Sequence, residues 1–544
     1  MEQERVSGQS ETKDIKRSRR RERKTFDPRW AILLVLLISV FTTAIIVNSD
    51  HLNEGADKIE SGLDIDNGDT KINWSKYSTT EIRLEDSLNI TTAGIYHLTG
   101  TLRSGEVKIS VKENEPVKLI LDNVSITNTE GPAINCESAD DLVIELVGES
   151  TLTDGEKYNI NYGEDVTGAI YSKADLTFEG DGTLVVTANY QDGIVSKDDL
   201  KFVSGSYDIA AVDDAIRGKD SVYIENGNFK LSSEADAIKT TNEENPRKGF
   251  VLIEDGNFNI EAAGKGVEAT NNILVNKGNF IIGSTDDAIH SNNYIGIVDG
   301  NISIATNDDG MHADKELIID GGTINVSKSY EGLEAQKVTI NNGEISIISS
   351  DDGINAGGGA DSSAETGPNN DPFKSDENCI LSVNNGNIYI NASGDGVDSN
   401  GWLYINGGSV VVDGPTNDGN GALDSGMGVV INGGEVLAIG SSGMAETPSS
   451  ASGIVSVNVY LPTTRPAGTK IEIKDSSNKL IFTHDSAKTF SFISASSPAF
   501  NIGEEYTIYL DDEEYQSFTI TEITTIVGNR MNNQAAPSRP GRTR

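Results

Sequence analysis

The residues best suited to chemistry in this 544-residue chain are carboxylates set in recurring Asp-Asp and Asp-Gly phrases. In Asp286-Asp287-Ala288-Ile289-His290, Asp308-Asp309-Gly310-Met311-His312 and Asp395-Gly396-Val397-Asp398 an acid precedes a small residue, and a second polar group follows two places later. Groups at i and i+3 sit either side of a bend and can face one point. Calcium favours that arrangement because it accepts several oxygens in flexible geometry. A single Asp-Gly or Asp-Asp pair is explained as well by turn formation, so the expectation of calcium rests on recurrence. His290 and His312 hold equivalent places in successive phrases, but no third soft ligand accompanies them at a diagnostic spacing. A zinc or copper centre is therefore not expected, and the pair reads as polar surface or as hydrogen-bonding groups for a substrate.

The elements that must position these groups follow from a repeat. Gly205, Gly227, Gly256, Gly278, Gly300, Gly322, Gly343, Gly386, Gly408 and Gly434 recur at intervals that are mostly 21 or 22 residues. The small residue of each acidic phrase keeps the same period and slips at the same insertions, 240–248, 357–378 and 414–420. Two markers in step define a structural repeat. Within a unit the pattern alternates, as in Ile295-Gly296-Ile297-Val298-Asp299-Gly300-Asn301-Ile302-Ser303-Ile304, which is strand periodicity. Leucine-rich and helical repeats need patterns that are absent. The expected fold is all-β: a right-handed parallel β-helix of about 22 residues per turn, each strand pairing with its equivalent one turn on. It should span residues 74–451, with irregular opening turns at 74–160. Residues 452–526, with strands such as Tyr506-Thr507-Ile508-Tyr509-Leu510, read as a small C-terminal β domain.

Stacked turns stack their side chains. One column reads Asp192, Asp214, Asp236, Lys265, Asp287, Asp309, Glu331, Asp352, Asp395 and Gly421, with Asp213, Asp286, Asp308 and Asp351 doubling the acid at four turns. A second reads Arg217, Lys239, Glu268, His290, His312, Glu334, Asn355, Asp398 and Asp424. Carboxylates about 4.8 Å apart repel by roughly 0.9 kcal/mol even in water, so a counter-ion is expected. Trp402 and Tyr404 should point outward while Leu403 and Ile405 point inward, in the place held elsewhere by Tyr294. Exposed rings beside a carboxylate groove suit a sugar face, unless the 414–420 loop covers Trp402.

Charge and hydropathy bear on the compartment. Residues 1–30 hold ten basic and six acidic residues, and an uncharged apolar run, Ala31 to Val47, follows them. The expectation is a cytoplasmic basic segment (1–30), an uncleaved signal-anchor crossing the membrane (31–48), a flexible acidic spacer (49–73) and an extracellular body. A cleaved signal peptide would also export the body. Residues 49–528 carry 29 basic against 78 acidic residues, which excludes nucleic acid as a partner there. The tail, 527–544, is basic and expected to be disordered. Cys136 and Cys379 match no metal or redox spacing and read as small buried residues.

The phrases around Asp286-Asp287, Asp308-Asp309, Gly394-Asp395-Gly396-Val397-Asp398-Ser399-Asn400-Gly401 and Gly419-Asn420-Gly421-Ala422-Leu423-Asp424-Ser425 resemble those of bacterial carbohydrate-binding β-helix proteins. These are clostridial-type surface proteins similar in fold to pectate lyases. The resemblance covers about 75–525 and implies non-catalytic, extracellular binding of cellulose-like or acidic, pectin-type polysaccharide with bound calcium. On it, Asp395, Asp398 and Asp424 are the leading calcium ligands, followed by Asp351, Asp352, Asp308, Asp309, Asp286, Asp287, Asp213, Asp214 and Asp236. Trp402, Tyr404, Tyr294, His290 and His312 are the candidate sugar contacts. The alternative is a calcium-dependent lyase acting by β-elimination. Its base would be Lys239 or Arg217, whose mutual repulsion lowers a lysine pKa while the neighbouring acids raise it. A structural adhesin or spacer is the third reading.

Overall fold

The computed structural model describes residues 55, 57–60, 62–65, 72–357 and 375–529. The basic segment 1–30, the apolar run 31–48, the tail beyond 529 and residues 358–374 of the largest insertion lie outside the described residues. Among the described residues no helix is long and apolar enough to cross a membrane.

The chain is an all-β parallel solenoid of about 15 turns with almost no helix. A regular turn has three strands. The first is short, as in Ile216–Gly218, Ile238–Thr240 and Val267–Ala269. The second has four residues, as in Ser221–Ile224, Phe250–Ile253 and Asn272–Val275. The third has six, as in Asn228–Ser233, Asn257–Ala262 and Asn279–Ser284. Each pairs in parallel with its counterpart one turn on, so the coil has three faces.

Alternation and stacking together build the core. On the first face Ile216, Ile238, Val267, Ile289, Met311, Leu333, Ile354 and Val397 lie in register and all are buried. On the third face Tyr207, Phe229, Phe258 and Phe280 form an internal stack with ring centroids 4.5–4.9 Å apart. Burying each such side chain contributes about 1.5–3 kcal/mol. The repeating glycine has a backbone cause. Gly300 sits at φ 129, and a Cβ there would lie 2.8 Å from the Gly278 carbonyl oxygen of the previous turn. Only glycine accepts both conditions.

One stretch of the second face is apolar on its outer side too: Phe250, Leu252 and Leu274 are buried although the core side is supplied by Val251, Ile253, Ile273 and Val275. Ile59 and Leu63 cover them, and Asp64 N–H donates to the Arg247 carbonyl at 3.0 Å. Ile59 and Leu63, within the 49–73 stretch expected to be a flexible spacer, thus pack on the coil, because that outer stripe needs a cover; most of the rest of that stretch lies outside the described residues.

At the far end, Phe490–Ser496 runs antiparallel to Glu435–Gly440, the last third-face strand, and to Ser456–Arg465. A separate antiparallel sheet of Lys470–Asp475, Leu480–Asp485, Glu505–Leu510 and Glu513–Thr519 follows. Its core, including Ile471, Ile508 and Phe490, adjoins Leu437 and Ile439. The last rung is thus paired, and an open parallel edge is avoided. Cys136 and Cys379 are free and buried.

Candidate functional site

Both expected columns exist. On the first face Arg217, Lys239, Glu268, His290, His312, Glu334, Asn355 and Asp398 are register partners turn by turn. A bridge between Val397 and Leu423 brings Asp424 on beyond Asp398. The bend entering each first-face strand carries the second column, and there the structure adds a feature that composition does not reveal. One carboxylate oxygen of each aspartate in the column accepts the backbone N–H of its counterpart on the next turn, whereas Glu331 accepts from the Asn355 side chain instead. Asp192 accepts from Asp214, Asp214 from Asp236, Asp287 from Asp309, Asp309 from Glu331 and Asp352 from Asp395, at 2.5–3.2 Å. Asp236 accepts from Lys265 at 2.7 Å, and Asp395 from Gly421. The column is therefore a hydrogen-bonded backbone spine, which explains why Asp recurs there. Backbone amides, as well as any counter-ion, offset the like-charge stacking.

The second oxygen of each acid distinguishes the turns. In the earlier turns the chain supplies its own cations. Arg217 reaches Asp192 at 2.5 Å, and Lys239 lies between Asp236 at 2.5 Å and Glu268 at 2.7 Å. Lys265, itself in the acid column, bridges Asp286 at 2.8 Å and Asp287 at 3.2 Å. His290 Nδ1 lies 2.7 Å from Asp287. Burial would raise the Asp287 carboxyl, but the His290 hydrogen bond and Lys265 pull it down to about 2. Asp236 is likewise held low against its burial by hydrogen bonds from Glu268 and Lys239. Asp214, with Asp192, Asp236 and Asp213 around it, is pushed up by burial to about 7 despite Lys239.

In the later turns no cation pairs with the acids among the described residues. Burial, with Asp351 and Asp424 nearby, pushes Asp352 up to about 7; burial, Asp352, Asp424 and Asp351 do the same to Asp395. Asp398 is raised well above the usual carboxylate range by burial and by Asp395, Asp424 and Asp352. Glu331 is raised for the same reasons, with Glu334, Asp309 and Asp352 as its neighbours. Buried acids that drive one another's pKa upward favour either protons or a metal ion. This oxygen-only set around Asp352, Asp395, Asp398 and Asp424 fits a hard cation. Asp213, Asp286, Asp308 and Asp351 flank the spine and remain partly exposed.

Several expected roles change. Lys239 is clamped between two acids: burial would lower its pKa, but hydrogen bonds from its ammonium to Asp236 and Glu268 raise it, opposite to what a base needs. Arg217 is tied to Asp192 and also donates to Thr167 Oγ1 at 2.6 Å. His290 and His312 are 7% and 1% exposed, so neither offers a surface to a sugar; both column positions are walled by the turns on either side. Trp402 and Tyr404 do point outward, half-buried and stacked at 5.8 Å, over fully buried Leu403 and Ile405. Tyr294 lies in the same second-face column, but Glu316, Lys337 and Ile380 separate it from Trp402. Tyr294 packs instead with the cluster under Ile59 and Leu63. It belongs to a different stretch of the face.

The site thus lies on a parallel solenoid with carboxylate columns along one face and a pair of aromatic rings on the next. The family resemblance carried by the Asp/Gly phrases holds: residues 84–353 match the model of the family described as "Carbohydrate-binding domain-containing protein". A protein of that description from Acetivibrio thermocellus is 35% identical over 131 residues, which is 23% of this chain and 46% of the relative. The match thus spans about half the length of that relative. Among solved structures, a polysaccharide lyase-like protein from C. thermocellum, as a gadolinium derivative, aligns at 25% identity and TM-score 0.34. The alignment covers 49% of this chain and 99% of that one.

Proposed function

We propose that this chain is a non-catalytic polysaccharide-binding protein whose later turns hold calcium, with cellulose-like or acidic, pectin-type glycans as the ligand class. The family match over 84–353 supports the carbohydrate. The observation that carries the calcium is the contrast within the acid column: the earlier turns have internal cations, whereas Asp352, Asp395, Asp398 and Asp424 have oxygen donors and no ion pair among the described residues. Calcium bound there would supply positive charge beside the stacked pair Trp402–Tyr404. A uronate carboxylate could then meet the ion while a sugar face meets a ring. The net negative charge of the body makes such a bridge necessary for an acidic glycan, which the bare surface repels. An N-terminal signal-anchor with the body outside the cell fits this reading, since calcium is abundant there.

Binding to polygalacturonate and to a cellulosic oligosaccharide, measured with calcium and again with EDTA, tests the proposal. Calcium-dependent retention of the acidic glycan is the expected result; equal retention in both buffers would remove the bridging role. A rise in ultraviolet absorbance from unsaturated ends would instead revive the lyase. The clamped Lys239 argues against that outcome.

A further inference from the structure

The two histidines of the first-face column differ although they are neighbours. His290 is satisfied: Nδ1 lies 2.7 Å from Asp287 Oδ2 and Nε2 lies 3.1 Å from Asn292 Oδ1. His312 is the more deeply buried, at 1% exposure, and neither of its ring nitrogens has a hydrogen-bond partner. Its Nδ1 stands 3.4 Å from Asp309 Oδ2 and 3.3 Å from Glu334 Oε2. Those separations exceed a charge-assisted N–H···O contact, which is about 2.7–2.9 Å. They do match the roughly 3.3–3.4 Å between two donors that each bind one tetrahedral metal at about 2.0–2.1 Å. The three donor atoms lie within 4.8 Å of one another.

We propose that Asp309, His312 and Glu334 form a second cation site, selective for a divalent transition metal of the zinc class, with its fourth position left for water or a ligand group. The imidazole is what separates it from the oxygen-only turns beyond: calcium takes oxygen ligands, whereas a nitrogen donor favours zinc, cobalt, nickel or copper. The far nitrogen of His312 faces Asp314 Oδ1 at 3.7 Å, where a metal-bound imidazole places a carboxylate to receive its remaining N–H. A simple imidazolium ion pair is the competing explanation. The preceding turn shows what such a pair looks like, with His290 closed onto Asp287 at 2.7 Å. His312 faces two acids, is better shielded from water, and closes onto neither.

The site was hidden in the sequence because its ligands are not soft and are not clustered. Asp309 lies at i−3 on the bend, and Glu334 comes from the next turn.

The test uses full-length, untagged protein stripped of metal. Zinc is titrated calorimetrically in excess calcium, and cobalt serves as the spectroscopic probe. One equivalent of zinc should bind, excess calcium should not displace it, and cobalt should show the intense visible absorption of a four-coordinate site. His312→Ala should abolish that absorption, and Glu334→Gln, which removes a ligand, should weaken zinc by at least the roughly 10–100-fold that loss of a ligand's hydrogen-bonding partner costs. His97→Gln, far along the coil, should change neither. Zinc binding that survives His312→Ala unchanged, that calcium displaces, or that is absent altogether overturns the proposal. Should His312→Ala fail to fold, Glu334→Gln with a native melting profile and unaltered zinc affinity does the same. Loss of calcium-dependent glycan binding, by contrast, would leave this site standing.

Discussion

Asp287 and Asp395 hold equivalent places in the same coil, and each gives one oxygen to the backbone amide of the next turn. Yet Asp287 is drawn down to about 2 and Asp395 is pushed up to about 7. The difference lies in what surrounds the second oxygen. Asp287 has His290 and Lys265, while the groups acting on Asp395 among the described residues are acids, Asp352, Asp424 and Asp351. Identical backbone positions thus acquire opposite electrostatic character from side chains one turn away. Around Asp236 and Asp287 the acids are paired with internal cations, whereas among the described residues no ion pair reaches Asp352, Asp395 or Asp398; Asp214, pushed up to about 7, shows that the pairing of the earlier turns is itself incomplete.

The sharpest way to break this contrast is to remove a cation from the paired acids. Lys239→Met keeps the aliphatic stem but leaves Asp236 and Glu268 facing each other without charge compensation. Breaking a shielded ion pair by deleting one partner costs on the order of 3 kcal/mol. Urea unfolding should show that loss, whether or not calcium is present. A loss confined to calcium-free buffer would mean that the earlier turns also bind the ion.

Next in size is the response to pH. Asp352 and Asp395 have folded pKa values near 7, above the ordinary unfolded value near 4. Between those values the folded state holds more protons than the unfolded one, so stability falls as pH rises. In EDTA the melting temperature should therefore drop from pH 5 to pH 8, with each group contributing on the order of 1 kcal/mol or more. Saturating calcium should remove the share of the drop due to Asp352 and Asp395, leaving that of Asp214 in the earlier turns, and add about 2.7 kcal/mol at a hundredfold excess over its Kd. Asp287 works in the other direction: its stabilisation is complete above about pH 4 and is lost only as pH falls toward 2. A metal-free melting curve that is flat between pH 5 and 8 would sink this account of the unpaired acids.

Asp398→Asn sharpens the same comparison with a smaller effect. Because burial and three neighbouring acids disfavour ionisation of Asp398, the neutral amide should raise metal-free stability by about 1 kcal/mol at alkaline pH, where the acid must either ionise or hold a proton against the solvent. It should also erase the stabilisation by calcium. The equivalent change at the other end, Asp287→Asn, should destabilise the protein, because it leaves His290 and Lys265 without their acid.

Much of this contrast could be read from residue order, and the reasons it could not all be read are physical. The glycine period and the alternation at residues 295–304 specify strand register, so the two columns follow by counting. Counting also places Trp402 outward and Leu403 inward. What it cannot supply is side-chain direction across turns. Glu268 meets Lys239 and Glu334 meets His312 as register partners, but which oxygen or nitrogen each side chain turns to its neighbour is set by rotamers that counting does not give. The backbone spine was equally hidden, since an Asp that serves a turn and an Asp that serves a neighbouring amide look alike in sequence. Tyr294 falls in the second-face column that counting gives it, but its partners under Ile59 and Leu63 could not be counted, because they come from a segment outside the repeat. The packed segment at 57–65 did leave a trace: Phe250-Val251-Leu252-Ile253 is apolar on both sides of a strand, which requires a cover on the outside.

The smallest expected effect concerns the aromatic pair. Trp402 and Tyr404 stack at 5.8 Å with an interplanar angle of 21°, and both are half-buried on the outer side of the coil. Sugar stacking on such a ring contributes about 1 kcal/mol beyond area burial. Trp402→Ala should accordingly weaken polysaccharide binding roughly fivefold to tenfold, leaving the calcium-dependent melting shift intact. Asp398→Asn should do the reverse for an acidic glycan, removing the calcium dependence while a neutral glycan still binds through the rings. If both substitutions weaken neutral and acidic glycans alike, the ion and the aromatic platform form one inseparable surface, and the division of labour between the two faces fails. If Trp402→Ala changes neither, the ring is part of the coil's outer packing, and the glycan surface must be sought along the carboxylate columns alone.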